Sequence, residues 1–140
     1  MTLSRSPEDT KRIGYMYGER AKAGDVYCLS GELGAGKTVF AKGFAAGLAV
    51  PDDVEIVSPT FVILNEYAGR LVLYHFDAYR CRAGDMREIG FEEYIYSGGV
   101  TLIEWPERVR EVLPPGGVWI VILKDADDER VRHISARINV

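Results

Sequence analysis

Only two of the 140 residues are cysteine and only six are proline. Cys28 lies in an apolar run and Cys81 sits between Arg80 and Arg82, with no metal-ligand spacing joining them. That usage argues against a disulfide scaffold and a zinc module and suits a reducing compartment, with both thiols structural. No apolar run approaches the roughly 18 residues that span a bilayer, and residues 1–7 hold no apolar signal core. A cytoplasmic chain without membrane association is expected. Basic excess is lacking too, since 17 Lys and Arg stand against 21 Asp and Glu for a formal charge of −4. A domain that grips nucleic acid unaided shows a basic face, and Lys11-Arg12 and Arg80-Cys81-Arg82 are too short to make one. Autonomous nucleic-acid binding is disfavoured, and nothing repeats internally.

What is present fits one compact domain over residues 1–140: 47% hydrophobic and 27% charged residues with 15 glycines. Ser6-Pro7-Glu8-Asp9 reads as a helix start, Ser6 as cap and Pro7 at the first helical position. Ile13, Met16, Tyr17 and Ala21 continue at helical spacing as a core-facing stripe, and Gly24-Asp25 is the expected stop. Residues 26–30 are a short buried strand. A glycine-rich loop follows, then a helix in which Val39, Phe40, Gly43, Phe44, Gly47 and Leu48 recur, with glycines where it packs tightly on a neighbour. Residues 61–67 and 71–77 read as a hairpin around Ala68-Gly69-Arg70. One or two short helices are expected in 84–96, a buried strand at 100–103 closed by Glu104, a short helix at 106–113, and strands at 118–123 and 130–138 around an acidic turn. The sum is an α/β fold with helices flanking a mixed parallel and antiparallel sheet.

Gly31-Glu32-Leu33-Gly34-Ala35-Gly36-Lys37-Thr38 matches the phosphate-binding pattern G-x-x-x-x-G-K-[ST] without a gap, between a strand and a helix as the mechanism requires. Its glycines let successive N–H groups face an anion, the helix adds its positive end, Lys37 reaches the β- and γ-phosphates, and the Thr38 hydroxyl can bind Mg²⁺. A nucleoside triphosphate is the natural ligand. Such sites also need an acid near the metal, ideally where a strand ends. Asp77 and Glu104 both close apolar strands, and each reads equally as a metal-side acid or as a cap or surface charge. His75 shares a strand side with Asp77 and is read as a structural histidine outside the site. Ser58-Pro59-Thr60 is a γ-phosphate-sensing segment or a hydroxyl-rich turn, with spacing favouring the turn. Trp105 is a core aromatic or a ring beside the nucleotide. No N-K-x-D segment selects guanine, no L-S-G-G-Q signature marks a transporter ATPase, and no arginine-rich kinase lid stands out. The remaining class is a minimal ATPase or switch.

Beyond the loop, Ser58-Pro59-Thr60-Phe61 with Asn65-Glu66-Tyr67, His75-Phe76-Asp77-Ala78-Tyr79-Arg80, Glu88-Ile89-Gly90-Phe91-Glu92-Glu93-Tyr94 and Leu102-Ile103-Glu104-Trp105-Pro106-Glu107-Arg108 stand in the order and approximate spacing of one family. The sequence resembles the TsaE (formerly YjeE) family, small bacterial ATPases of the tRNA threonylcarbamoyladenosine pathway. The resemblance covers most of residues 31–108 and is loose at both ends. It implies a P-loop NTPase fold with a mixed sheet, and ATP and Mg²⁺ binding through Leu33, Gly34, Ala35, Gly36, Lys37 and Thr38. Thr38 and Glu104 would stand at the metal, with Asp77 as a Walker-B-like acid. It puts Thr60 in a first switch-like segment, residues 88–94 in a second, and Trp105 close to the nucleotide. Arg130 resembles a C-terminal nucleotide-contacting arginine, a solvated charge being the equal alternative. Lys37, Thr60, Asp77 and Glu104 would carry catalysis. The implied partners are a TsaD–TsaB-like complex and, through it, tRNA; the implied action is slow hydrolysis that partners stimulate. A nucleotide-gated binding module with incidental hydrolysis and a small-molecule kinase are the alternatives.

Overall fold

The computed structural model describes residues 1–59 and 63–138. Seven strands form one sheet: β1 (Thr2–Ser4), β2 (Val26–Ser30), β3 (Leu64–Tyr67), β4 (Leu73–Asp77), β5 (Val100–Glu104), β6 (Val118–Lys124) and β7 (Arg132–Ile138), in the order β1-β7-β6-β2-β5-β4-β3. Strands β6, β2, β5 and β4 run parallel in the middle. The flanks are antiparallel, β3 on β4 at one side and β7 with β1 on β6 at the other. A mixed sheet is therefore observed, as expected. Helices α1 (Pro7–Arg20) and α2 (Lys37–Gly47) cover one face, while α3 (Ala83–Glu88) and α4 (Phe91–Ile95) lie on the other.

Alternation along the strands splits the core between these faces. Tyr27 and Leu29 of β2, Leu73 of β4 and Leu102 of β5 join Phe40, Phe44 and Leu48 of α2, whereas Cys28, Phe76 and Ile103 face Met86, Phe91 and Trp119. Phe76 meets Phe91 edge-on at 4.9 Å. Both cysteines are buried and unpaired, and burial pushes the Cys28 thiol up to about 12, which leaves it a small apolar core group. Helices α1 and α2 cross at close range. A Cβ on Gly18 would collide with the Phe44 carbonyl, and one on Gly43 with the carbonyl of Lys11, so glycine permits the approach of the two backbones. The pair fixes the phosphate-loop helix against the sheet.

The start of α1 is as expected, with Ser6 Oγ accepting from Asp9 N at 3.1 Å, but the helix stops at Arg20. The Asp25 carboxylate accepts the Lys22 N–H at 2.8 Å and Gly24 takes φ +89°, so the turn begins earlier than the glycine alone implies. Strand β1 was not foreseen; three residues are too few for a pattern, and pairing with β7 creates it. The expected helix over 106–113 is instead two single turns of 3₁₀ helix, Pro106–Arg108 and Arg110–Val112, separated by Val109 at φ −134°. Val109 lies outside the helical region and divides the stretch before Pro114, which leaves only single 3₁₀ turns on either side.

Candidate functional site

The parallel strands deliver their C-terminal ends to one edge of the sheet, where ligands of open α/β sheets bind. From β2 the chain enters the phosphate loop, with Gly34 at φ +77° and Gly36 at φ +108°, conformations that glycine adopts without a Cβ penalty. Gly36 caps α2, and Phe40 N closes the first helical bond on its carbonyl at 2.9 Å. The N–H groups of the first turn lack intrahelical acceptors and, with the helix dipole, favour an anion.

Lys37 is 7% exposed; its ammonium donates to the Gly31 carbonyl and lies 3.8 Å from the centroid of the Trp105 ring. Burial pushes its pKa below the usual lysine range, against the pull of Glu104, Glu107 and Asp77. Trp105 holds a left-handed backbone, φ 57° and ψ 46°, before Pro106. A bulky residue there is uncommon and strained. Its ring packs on Tyr79 with centroids 4.8 Å apart, and the Arg108 guanidinium lies 5.0 Å from the Tyr79 ring.

Asp77 of β4 and Glu104 of β5 are in register on adjacent parallel strands, 5% and 2% exposed. Asp77 Oδ1 accepts from Tyr79 N at 2.9 Å. Glu104 Oε2 accepts from Ser58 Oγ at 2.9 Å and lies 2.7 Å from His75 Nε2. The Ser58 proton is committed to Glu104, so Thr38 Oγ1, 3.1 Å from Ser58 Oγ, is the donor in that pair. A hydrogen-bonded line thus runs from the first turn of α2 to the end of β5. Leu33, Lys37, Thr38, Asp77, Glu104 and Trp105 all border one cavity of about 360 Å³.

Gly34 and Gly36 also border a second cavity of about 330 Å³ on the α1 side, where Arg130 stands. Arg130 is exposed and bonded to Asp128, Nη2 to Oδ2 at 3.2 Å. Ala35, within the loop, is fully buried. Thr60 lies outside the described residues. Three residues that join this constellation were not among the site residues expected from the sequence, His75 having been set outside the site and Ser58 weighed only within its segment. Ser58 stood in a quoted motif and His75 two positions before Asp77, so alternation carried a signal for the histidine. Arg132 carried none: its Nε donates to the Ala35 carbonyl at 2.9 Å and its Nη2 to that of Gly34 at 3.2 Å, contacts made by chain folding across 97 and 98 positions.

The sequence profile of the family described as "Threonylcarbamoyl adenosine biosynthesis protein TsaE" matches residues 4–134. The chain belongs to the TsaE family. Relatives named tRNA threonylcarbamoyladenosine biosynthesis protein TsaE include one from Bacillus subtilis, 47% identical over 126 residues, 89% of this chain and 78% of the relative. One from Treponema pallidum is 46% identical over 129 residues, 91% of this chain and 94% of the relative. The crystal structure of Bacillus subtilis YdiB superposes with a TM-score of 0.83 at 40% identity, covering 99% of this chain and 84% of that one. The fold is accordingly that of a P-loop NTPase, and nucleotide binding goes with the family, whose phosphate-loop pattern stands at residues 31–38. Among the described residues, no helix is long and apolar enough to cross a membrane.

Proposed function

We propose that residues 1–140 act as one ATPase domain that binds ATP with Mg²⁺ beside the phosphate loop and hydrolyses it in the service of tRNA threonylcarbamoyladenosine formation. The observation that carries this reading is convergence: Lys37, Thr38, Ser58, Asp77 and Glu104, from four separate stretches of chain, border one cavity at the positive end of α2. In this reading Leu33, Gly34, Ala35, Gly36, Lys37 and Thr38 cradle the phosphates. Lys37 leaves the Gly31 carbonyl for a phosphate oxygen, and Trp105 then borders the nucleotide. Arg130 leaves Asp128 to reach it from the second cavity, and Thr60 belongs to a segment that answers the γ-phosphate.

The donor set fits Mg²⁺, a hard cation that takes oxygen ligands and shares them with phosphate and water. Among the described residues no group of three or more His, Cys, Asp and Glu side chains could hold an ion unaided. Thr38, Glu104 and Asp77 would therefore hold it jointly with the nucleotide. Bound there, the ion would supply charge neutralisation at the phosphoryl oxygens. The chain's own contribution is positioning: loop amides and Lys37 orient the phosphates, and the carboxylate of Asp77 or Glu104 orients the attacking water.

The names of the relatives place them in threonylcarbamoyladenosine biosynthesis on tRNA. In this reading the chain works in the cytoplasm, and a charge of −4, which leaves it little with which to hold RNA itself, favours action through a TsaD–TsaB-like complex that carries the tRNA. Phosphate release from ATP and Mg²⁺ with no acceptor present, lost in Lys37→Ala, is the expected result. ADP formed only with an added acceptor would make the chain a kinase. Binding without turnover, even with partners, would make it a nucleotide-gated module.

A further inference from the structure

Strand alternation puts Leu73, His75 and Asp77 of β4 on the α2 side of the sheet, together with Leu102 and Glu104 of β5. His75 is opposite Leu102 and Asp77 opposite Glu104, so His75 and Glu104 are diagonal neighbours on one face. The imidazole is fully buried and does not border the cavity, whereas Glu104 does. Its Nε2 lies 2.7 Å from Glu104 Oε2, and its Nδ1 is buried with no hydrogen-bond partner among the described residues.

That one-sided satisfaction bears on what the ring is for. A histidine kept for packing would be cheaper as leucine, because burying an unpaired nitrogen costs free energy that an apolar side chain avoids. The one polar return on His75 among the described residues is the bond to Glu104. Ser58 Oγ donates to the same oxygen, so two donors converge on Oε2 and fix the carboxylate plane, while Oε1 has no such donor among the described residues. The Ser58 hydroxyl continues to Thr38. Histidine and serine thus hold one oxygen of the glutamate, and threonine backs the serine.

We propose that His75 is a positioning residue: through Nε2–H it clamps Oε2 of Glu104 and so presents the other carboxylate oxygen to the hydrated magnesium of a bound nucleotide. The assignment rests on the ATP·Mg²⁺ reading above. His75 touches neither nucleotide nor ion in this arrangement; it acts only through Glu104. Partners that orient a metal-side ligand in this way are worth on the order of 10–100-fold in metal affinity or activity.

The test uses the full chain and two variants. His75→Leu keeps bulk and removes the donor, while His75→Gln keeps an amide N–H able to reach the same oxygen. ATP affinity is measured in EDTA and across a Mg²⁺ titration, alongside kcat and KM with partners. His75→Leu should retain wild-type affinity for metal-free ATP, raise the Mg²⁺ needed for half-maximal effect or lower kcat by about 10–100-fold, and leave KM little changed. His75→Gln should recover most of the loss. In the metal-free wild type, nitrogen-edited NMR of the ring should show a proton on Nε2 whose signal moves in Glu104→Gln. Three results would each overturn the assignment: wild-type Mg²⁺ response together with wild-type kcat in His75→Leu, equal losses with and without metal, or no proton on Nε2. Failure of the wild-type chain to bind ATP in either condition would overturn the nucleotide reading itself.

Discussion

Replacing Arg132 by alanine should weaken ATP binding with the fold intact. Its guanidinium ties the β6–β7 connection to the phosphate loop: Nη1 donates to the Glu129 and Val131 carbonyls at 2.6 and 3.0 Å, Nε to Ala35 at 2.9 Å and Nη2 to Gly34 at 3.2 Å. A trans peptide is planar, with C=O and N–H pointing opposite ways. Holding the Ala35 carbonyl toward Arg132 therefore turns the Gly36 N–H to the other side of the loop, where an anion at the start of α2 would meet it. Alanine releases that peptide to rotate. A hydrogen bond from a charged donor contributes about 1.5–3 kcal/mol, and Arg132 is half-buried, so water restores part of what is lost. A net loss of about 1–2 kcal/mol in binding, or about 5–30-fold in Kd, follows. Lysine supplies one point charge in place of a planar fork and should rescue little in Arg132→Lys. Calorimetric titration with ATP reads the affinity, and thermal unfolding checks the fold. A wild-type Kd for Arg132→Ala, or full rescue by lysine, refutes the reasoning.

Lys37→Ala and Thr38→Ala should each weaken ATP or Mg²⁺ binding by about 1.5–3 kcal/mol with an unfolding midpoint close to wild type, and ATP titrations at fixed Mg²⁺ check it. Nucleotide should change Trp105 emission as the Lys37 ammonium leaves its place 3.8 Å from the ring centroid; Trp119 is the other tryptophan, so a Trp119→Phe background isolates the signal. An unchanged spectrum at saturation would mean that Lys37 stays on Trp105. Gly43→Ala should destabilise the chain by about 1–3 kcal/mol in denaturant unfolding, because its Cβ would strike the Lys11 backbone where α1 crosses α2.

Legibility followed the range of the interactions. The strand, loop and helix around residues 26–47 were readable because their pattern is local: a β-prone run, glycines at fixed offsets and a 3.6-residue stripe. Asp77 and Glu104 were readable as candidates, since each ends an apolar strand, yet only parallel pairing of β4 with β5 puts them in register. His75 was read as structural because a lone buried imidazole usually is; its diagonal contact with Glu104 depends on which strands are neighbours, a property of topology. Arg132 lies 97 positions from the carbonyl it holds, in a stretch of mixed charge where Arg130 alone was singled out. The misjudged helix over 106–113 and the unforeseen β1 are short elements whose form comes from their surroundings: proline and the Trp105 turn in one case, pairing with β7 in the other.

The most direct test of the account is steady-state ATP turnover, read together with multiple-turnover threonylcarbamoyladenosine formation on tRNA. The arms are the chain alone, a TsaD–TsaB complex alone and both together, with Lys37→Ala and Glu104→Gln in place of wild type. The account predicts slow hydrolysis by the chain alone, a marked rise when the complex is added, sustained modification only with wild type, and loss of both signals in either variant. Full turnover by the isolated chain unaffected by the complex, with undiminished modification in the presence of Lys37→Ala, would contradict it.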